Sequence, residues 1–332
     1  MGRPRAGYTV ESATVLLGNL DPILGTDQLL EEALRILKKT PFPFPAPMDE
    51  TEAHKELARV QKSKSGITSW TPVGVRVCNS LFPNRYKATY KSNVSAWEGW
   101  HDEKHLRRAI RFQVRVGDPV IPKRVLRALT ANCRTPSVFR PVVARYLYET
   151  YCPSGGVVWD PCSGYGGRLL GALAAGVGKY IGTDVEPETV GGNRRLAALL
   201  GMEDRAEIHL NPAETFDPGP VDLVFTSPPY FNLELYGRSR DQSSVTNSGF
   251  EEWVSGFLVP VLVTAYRRLP DGGVLVLNVT DVRQGRKTFP LVEAAIREAV
   301  TAGFKHEDTL RMPLASLNRK NASEPLLVFR RR

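Results

Sequence analysis

From residue 138 onward, stretches with helical spacing alternate with short, almost uninterrupted apolar runs, and this pattern restricts the possible folds more than any other feature of the chain. The segment V-F-R-P-V-V-A-R-Y-L-Y-E-T-Y (138–151) has helical periodicity, with Pro141 in the first turn, where its missing N–H costs nothing. Further helices are expected over 166–176 (closed by Gly176), 188–200, 250–269 (kinked at Pro260) and 290–301. Between them lie G-V-V-W-D (156–160), K-Y-I-G-T-D (179–184), A-E-I-H-L (206–210), D-L-V-F-T (222–226), G-V-L-V-L-N-V (273–279) and P-L-L-V-F (325–329). Runs this short and this apolar fit strands buried on both faces, as in a parallel sheet covered by helices. The expected fold is therefore α/β, a doubly wound, mostly parallel sheet over residues 135–332.

In such sheets ligands bind beyond the carboxyl ends of the strands, and the chemically distinctive residues fall there. The first strand closes on Asp160 and runs into D-P-C-S-G-Y-G-G-R, where Gly164, Gly166 and Gly167 permit a tight turn and close approach of a ligand to the backbone. Asp184 closes the second strand, 24 residues on, where an acid can accept hydrogen bonds from ribose hydroxyls. The glycine loop is neither a phosphate loop, since Gly167 is followed by Arg168 and Leu169, nor a G-x-G-x-x-G dinucleotide loop. The fourth strand ends in T-S-P-P-Y (226–230).

The glycine loop resembles motif I of class I S-adenosylmethionine-dependent methyltransferases. T-S-P-P-Y resembles motif IV of the amino-methyltransferases in that group, which carry [D/N/S]-P-P-[Y/F/W]. The serine form is found chiefly among N4-cytosine DNA methyltransferases, with some N6-adenine enzymes. The resemblance covers roughly 135–332 and includes Phe139-Arg140-Pro141 as the upstream cofactor segment. It implies a Rossmann-like fold and S-adenosyl-L-methionine as cofactor, held by Phe139, Pro141, Asp160, Pro161, Gly164, Gly166, Asp184 and Thr226. At the end of the third strand Pro212 stands where relatives carry an acid, so Asn211 or Glu214 would take that contact. Ser227 Oγ and the Pro228 carbonyl would accept from the two hydrogens of an amino group, favouring its pyramidal, nucleophilic form. Pro228 and Pro229 fix φ and carry no competing N–H, and Tyr230 would stack on the base. A base in a duplex must be flipped out to reach such a pocket. The implied activity is methyl transfer to an exocyclic amino group of DNA, cytosine N4 ahead of adenine N6. An RNA base or a planar amide suits the same acceptors, and a fold of this kind that has lost activity is the remaining alternative.

Charge assigns a partner to the rest of the chain. Net charge is +9, and residues 55–134 alone hold 17 Lys and Arg against 5 Asp and Glu. This local excess points to a polyanion. Aromatic residues interleave with it, and bases stack on aromatic faces where basic side chains meet phosphates. Residues 1–134 are accordingly expected to form a basic α+β region that binds nucleic acid, DNA or RNA. Its candidate contacts are Arg76, Arg85, Lys87, Lys91, Trp97, Trp100, Arg107, Arg108 and Arg111, although the aromatics would equally fill a small core. Arg238 and Arg240, in the polar segment 231–249, are placed near phosphates in a loop that closes over the target. The proline alternation P-F-P-F-P-A-P (41–47) forbids helix and predicts an extended strap with its phenylalanines packed down.

Other classes find little support. Cys78, Cys133, Cys152 and Cys162 form no C-x-x-C pair, and H-D-E-K-H (101–105) has Asp102 where a zincin helix needs Glu, so no metal site is expected. No stretch approaches the roughly 18 apolar residues of a membrane span, and the opening M-G-R-P-R-A-G-Y-T lacks a signal-peptide core, so the expected location is the cytoplasm.

Overall fold

The computed structural model describes residues 26–90, 94–133, 135–229, 231, 234–235, 249–284, 286–314 and 323–332. The chain forms two compact units, one from residues 1–45 with 83–136 and the other from 46–82 with 137–332.

The larger unit is built on a seven-stranded sheet. Its strands are β1 Val157–Asp160, β2 Lys179–Asp184, β3 Ala206–Leu210, β4 Leu223–Thr226, β5 Val274–Asn278, β6 Phe304–Pro313 and β7 Ser323–Arg331. The spatial order is β3-β2-β1-β4-β5-β7-β6. The first five strands are parallel, and β7 runs antiparallel between β5 and β6. The order 3-2-1-4-5 is that of a doubly wound dinucleotide fold, whose switch point lies between β1 and β4. Among the described residues no helix is long and apolar enough to cross a membrane.

The expected elements of 135–332 appear with their ends shifted by one to three residues; the helix expected from 138 begins at Pro141. Two differ in kind. Strand β6, F-K-H-E-D-T-L-R-M-P, has no counterpart in the sequence reading, because it is a polar edge strand whose register shifts between His306 and Asp308. That shift breaks the period-two alternation by which a half-buried strand is read. The helix over 250–268 is interrupted ahead of Pro260, by one wide turn at Val254–Leu258 in which the Val259 N–H reaches back five residues to the Val254 carbonyl. Pro260 has no N–H to give to Gly256, and its ring would press on that carbonyl; widening the preceding turn relieves both.

The sheet unit also contains residues 46–82, so the expected single division at 134 is not where the compact units part. The helices Glu50–Lys62 and Val75–Leu81 bury Ala53, Leu57, Val60, Val77 and Cys78 in the same core as Val158, Leu169 and Phe225. Phe82 fills space left by two glycines, since a Cβ on Gly166 or Gly192 would come within 2.8 or 2.4 Å of its ring.

Among the described residues of the smaller unit, regular structure is helical apart from a two-residue strand, Thr89–Tyr90. Helices Thr26–Leu37, Ala96–His101, Glu103–Arg115 and Pro122–Asn132 enclose a core of Leu30, Leu34, Leu37, Trp100, Leu106, Ile110, Val125 and Leu129. The proline strap packs down in part: Phe42 is buried against Tyr86 and Trp100, while Phe44 stays exposed.

Candidate functional site

The site is assembled where β1, β2 and β4 end. After β1 the chain turns through Gly164 (φ +55°) and Gly166 (φ +75°) into helix Gly167–Ala175. Gly167 itself must be glycine, since a Cβ there would lie 1.9 Å from the Phe139 carbonyl oxygen. The Phe139-Arg140-Pro141 segment therefore lies directly against the start of this helix. The Phe139 ring meets Phe225 edge-on at 5.4 Å, and Pro141 is buried.

Asp160 does not face a ligand. It is fully buried, and its two oxygens receive Arg168 Nε (2.7 Å) and Nη2 (3.2 Å), Tyr180 Oη (2.7 Å), Thr226 Oγ1 (2.9 Å) and the Cys162 amide (3.3 Å). Arg168 also donates to the Cys162 carbonyl. Asp160 and Thr226, expected as cofactor contacts, are both bonded into the scaffold that shapes the loop. Thr226 is 1% exposed and has a double role, because its hydroxyl also accepts from the Cys162 amide at 3.1 Å. One side chain thus ties the end of β4 to the glycine loop. Pro161 is likewise internal, its carbonyl accepting from Thr183 Oγ1 at 2.6 Å. Arg168, which in sequence only argued against a phosphate loop, and Tyr180 are the members of this hub that the sequence did not reveal. Asn193 is another, bonding the Gly164 carbonyl at 2.8 Å.

Asp184 is placed differently. Each of its oxygens accepts one backbone N–H, from Gly164 and from Glu186, both at 3.0 Å. A carboxylate has about four acceptor positions, so two remain. Burial pushes its pKa up to about 6, although the two N–H bonds act in the opposite direction. A desolvated acid with spare acceptor capacity beside a loop of positive-φ glycines fits a ligand carrying a ribose diol. Asn211 follows β3 with its N–H on the Asp184 carbonyl, and the field of Glu214 reaches Cys162 in the loop. Both residues thus stand beside the glycine loop.

Beyond β4, the Ser227 hydroxyl donates to the Asn278 carbonyl at 3.3 Å. A hydroxyl has one hydrogen and two lone pairs. With its hydrogen given to a carbonyl, Ser227 Oγ can offer an incoming amino group only acceptors. Pro228 is buried and Pro229 half-buried. Asn278, at the end of β5 and 2% exposed, is a site residue that the sequence did not reveal. Tyr230, Lys91, Arg238, Arg240 and most of the expected closing loop lie outside the described residues.

The basic candidates separate on inspection. Trp100 is 1% exposed and gives its indole N–H to the Thr40 carbonyl, and Arg85 is buried on the Pro136 carbonyl; both are core residues, which corrects their assignment as contacts. Arg107 is held by Glu31 and by Glu103 at 2.9 Å, and Arg76, in the sheet unit, by Glu52 at 3.2 Å. Lys87 and Trp97 are exposed, as are Lys104, Arg108, Arg111 and Arg115 along helix Glu103–Arg115. His101 and His105 lie on successive helices that part at Asp102, so they do not share the single helical face of a zincin pair.

No protein-family model matches the sequence, and no curated protein matches it. Among solved structures, a putative rRNA-methylase from Clostridium thermocellum is similar at 17% identity and a TM-score of 0.39, covering 56% of this chain and 94% of that one. TrmN from Thermus thermophilus is similar at 17% identity and a TM-score of 0.43, covering 65% and 68%. The glycopeptide N-methyltransferase MtfA complexed with S-adenosyl-L-homocysteine is similar at 14% identity and a TM-score of 0.41, covering 57% and 88%.

Proposed function

We propose that this chain is an S-adenosylmethionine-dependent methyltransferase acting on an exocyclic amino group of DNA, cytosine N4 ahead of adenine N6. The observation that carries the reading is the Ser227–Asn278 hydrogen bond beside the glycine loop. An amino nitrogen conjugated to a ring is a poor nucleophile because its lone pair is delocalised. Ser227 Oγ, its hydrogen committed elsewhere, and the Pro228 carbonyl accept the two N–H hydrogens and favour the pyramidal form. They act most strongly as positive charge develops on nitrogen, which lowers the barrier instead of merely binding the base. S-adenosylmethionine, held by the loop 162–166 and by Asp184, supplies an electrophilic methyl group. Thr226 fixes the distance between loop and acceptors, so positioning contributes much of the rate. Tyr230 stacks on the flipped base.

The nucleic-acid part of the reading is supported by Lys104, Arg108, Arg111 and Arg115, exposed along one helix with Trp97 on the helix before it. Cations so arranged suit a phosphate backbone. Serine at 227, where other amino-methyltransferases carry Asp or Asn, favours cytosine.

The test is incubation of the protein with methyl-labelled S-adenosylmethionine and unmethylated DNA or RNA, followed by digestion and mass spectrometry of the nucleosides. N4-methylcytosine in DNA is expected; label found only in RNA or protein overturns the substrate assignment. Ser227→Ala should cut transfer about 10²-fold or more while leaving S-adenosylhomocysteine affinity unchanged.

A further inference from the structure

The carboxyl edge carries an acid that the motifs do not contain. Because β7 runs antiparallel to β5, its first residues lie at the edge where the parallel strands end. Leu326 pairs with Asn278, and Glu324 stands one side-chain step further out on the same face. That face is apolar below, with Phe225, Val276 and Val328 in one core, and becomes polar above at Ser227, Asn278 and Glu324.

The surroundings of Glu324 are defined. The Asn278 side chain hydrogen-bonds its carboxylate and also donates to the Pro325 carbonyl at 3.2 Å. On β6 the residue opposite is buried Met312, and Arg311 pairs with Pro325 and so stands on the other face. From the segment before helix Pro141–Tyr151, Arg140 donates to the carbonyls of Ser69 and Pro313 (2.7 Å for the latter) and attracts Glu324. Burial raises the Glu324 carboxyl, against the pull of Asn278 and Arg140. Asn278 therefore stands between two groups: its carbonyl orients Ser227, and its amide holds Glu324.

We propose that Glu324 is the proton acceptor of this site, taking the proton that a methylated amino group must lose. The inference rests on the amino-methyltransferase reading. The nitrogen lone pair forms the new N–C bond while the C–S bond of the sulfonium donor breaks with its electron pair on sulfur. The nitrogen is left with one proton too many and a positive charge. One N–H proton leaves its hydrogen-bond acceptor and passes to a Glu324 carboxylate oxygen, giving a neutral secondary amine and a neutral carboxyl, which then releases the proton to solvent and becomes a carboxylate again. Three other acids near the strand ends are engaged elsewhere: Asp160 lies inside its hub, Asp184 faces the glycine loop, and Asp281 accepts the Val292 N–H at 3.0 Å. A carboxyl raised by burial is also a stronger base than an ordinary one.

The test uses the full chain, amplified unmethylated DNA and labelled S-adenosylmethionine at a concentration saturating at every pH, so that Asp184 does not contribute, with single-turnover rates measured from pH 5 to 8. Wild type should show an acid limb, the rate falling as Glu324 is protonated. Glu324→Gln should lose that limb and run roughly ten- to a hundredfold slower on the plateau, and Glu324→Asp should keep the limb. A second readout needs no turnover. In protein with ¹³C-labelled Glu carboxyls and S-adenosylhomocysteine, the resonance missing from Glu324→Gln should titrate above the ordinary range and shift when the DNA is added. If Glu324→Gln keeps the wild-type rate and profile while Ser227→Ala is inactive, the inference fails and the amino-methyltransferase reading stands. If wild type methylates no nucleic acid, both fall.

Discussion

At Asp184 the chemistry of a single carboxyl can be followed with pH. Its pKa of about 6 lies above that of an unfolded aspartate, so the folded chain prefers it protonated. The associated stability is present below the ordinary carboxyl range and is lost as pH rises through about 6. Ribose hydroxyls that donate to the carboxylate favour the ionised form. S-adenosylhomocysteine affinity, measured by calorimetry, should accordingly be flat above pH 6 and weaken about tenfold per unit below it; Asp184→Asn should flatten the dependence. Arg168 offers a contrasting case. It is buried with Asp160 at 2.7 Å, so Arg168→Met leaves a buried carboxylate without its cation. A loss of about 3–5 kcal/mol in urea unfolding is expected. The sequence placed an acid at the end of β2 through a local pattern, and the structure gives Asp184 two backbone N–H donors there. The sequence did not show that Tyr180 and Thr226 point inward to bond Asp160, because nothing local tells it. Asn278 could not be read at all: its contribution to Ser227 is a backbone carbonyl, which every residue has.

The elements around the site were legible where one period governed them. Strands β1, β2, β4 and β5 are mostly apolar and largely buried on both faces, and their ends follow from the polar residues that stop them; β3, at the edge, carries Glu207, His209 and an exposed Leu210. Strand β6 was not legible, because its bulge interrupts the alternation and one edge lacks a neighbour. Helix Gly167–Ala175 shows the difference between two kinds of glycine. Gly176 ends it at φ +78° with nothing nearby, so Gly176→Ala should cost only about 1 kcal/mol of left-handed strain. Gly167 has no such φ, but any Cβ meets the Phe139 carbonyl. Gly167→Ala should cost about 3 kcal/mol or more, beyond the usual penalty of an overfilled core, and should displace Phe139. Paired urea melts of the two variants check both values.

For the whole molecule, the unit boundaries decide what can be removed. A fragment of residues 135–332 would lack Leu57, Val60, Val77 and Phe82, which are core members of the sheet unit. It should show no cooperative unfolding transition by circular dichroism. A chain of 46–82 joined through a short Gly-Ser linker to 137–332 should unfold cooperatively, because it retains the whole core. The sequence could not reveal this arrangement, since the helices over 50–62 and 75–81 carry charge that merges with the basic region in any running count.

Phe82 and Val138 give the arrangement a further meaning. Phe82 packs against Gly166, and a Cβ on neighbouring Gly167 would come 2.9 Å from Val138. The chain thus leaves the sheet unit and returns to it at adjacent points. An insertion anchored at adjacent points can change length with little penalty, since closing a flexible loop costs only about 0.6 kcal/mol more for each doubling. Exchange of residues 83–136, together with the 1–45 segment that shares their core, for a unit of different size would leave Ser227, the glycine loop and the acid at the edge in place. In the proposed reading, the part of the chain that would select a target is thereby held apart in sequence from the strands that would modify it.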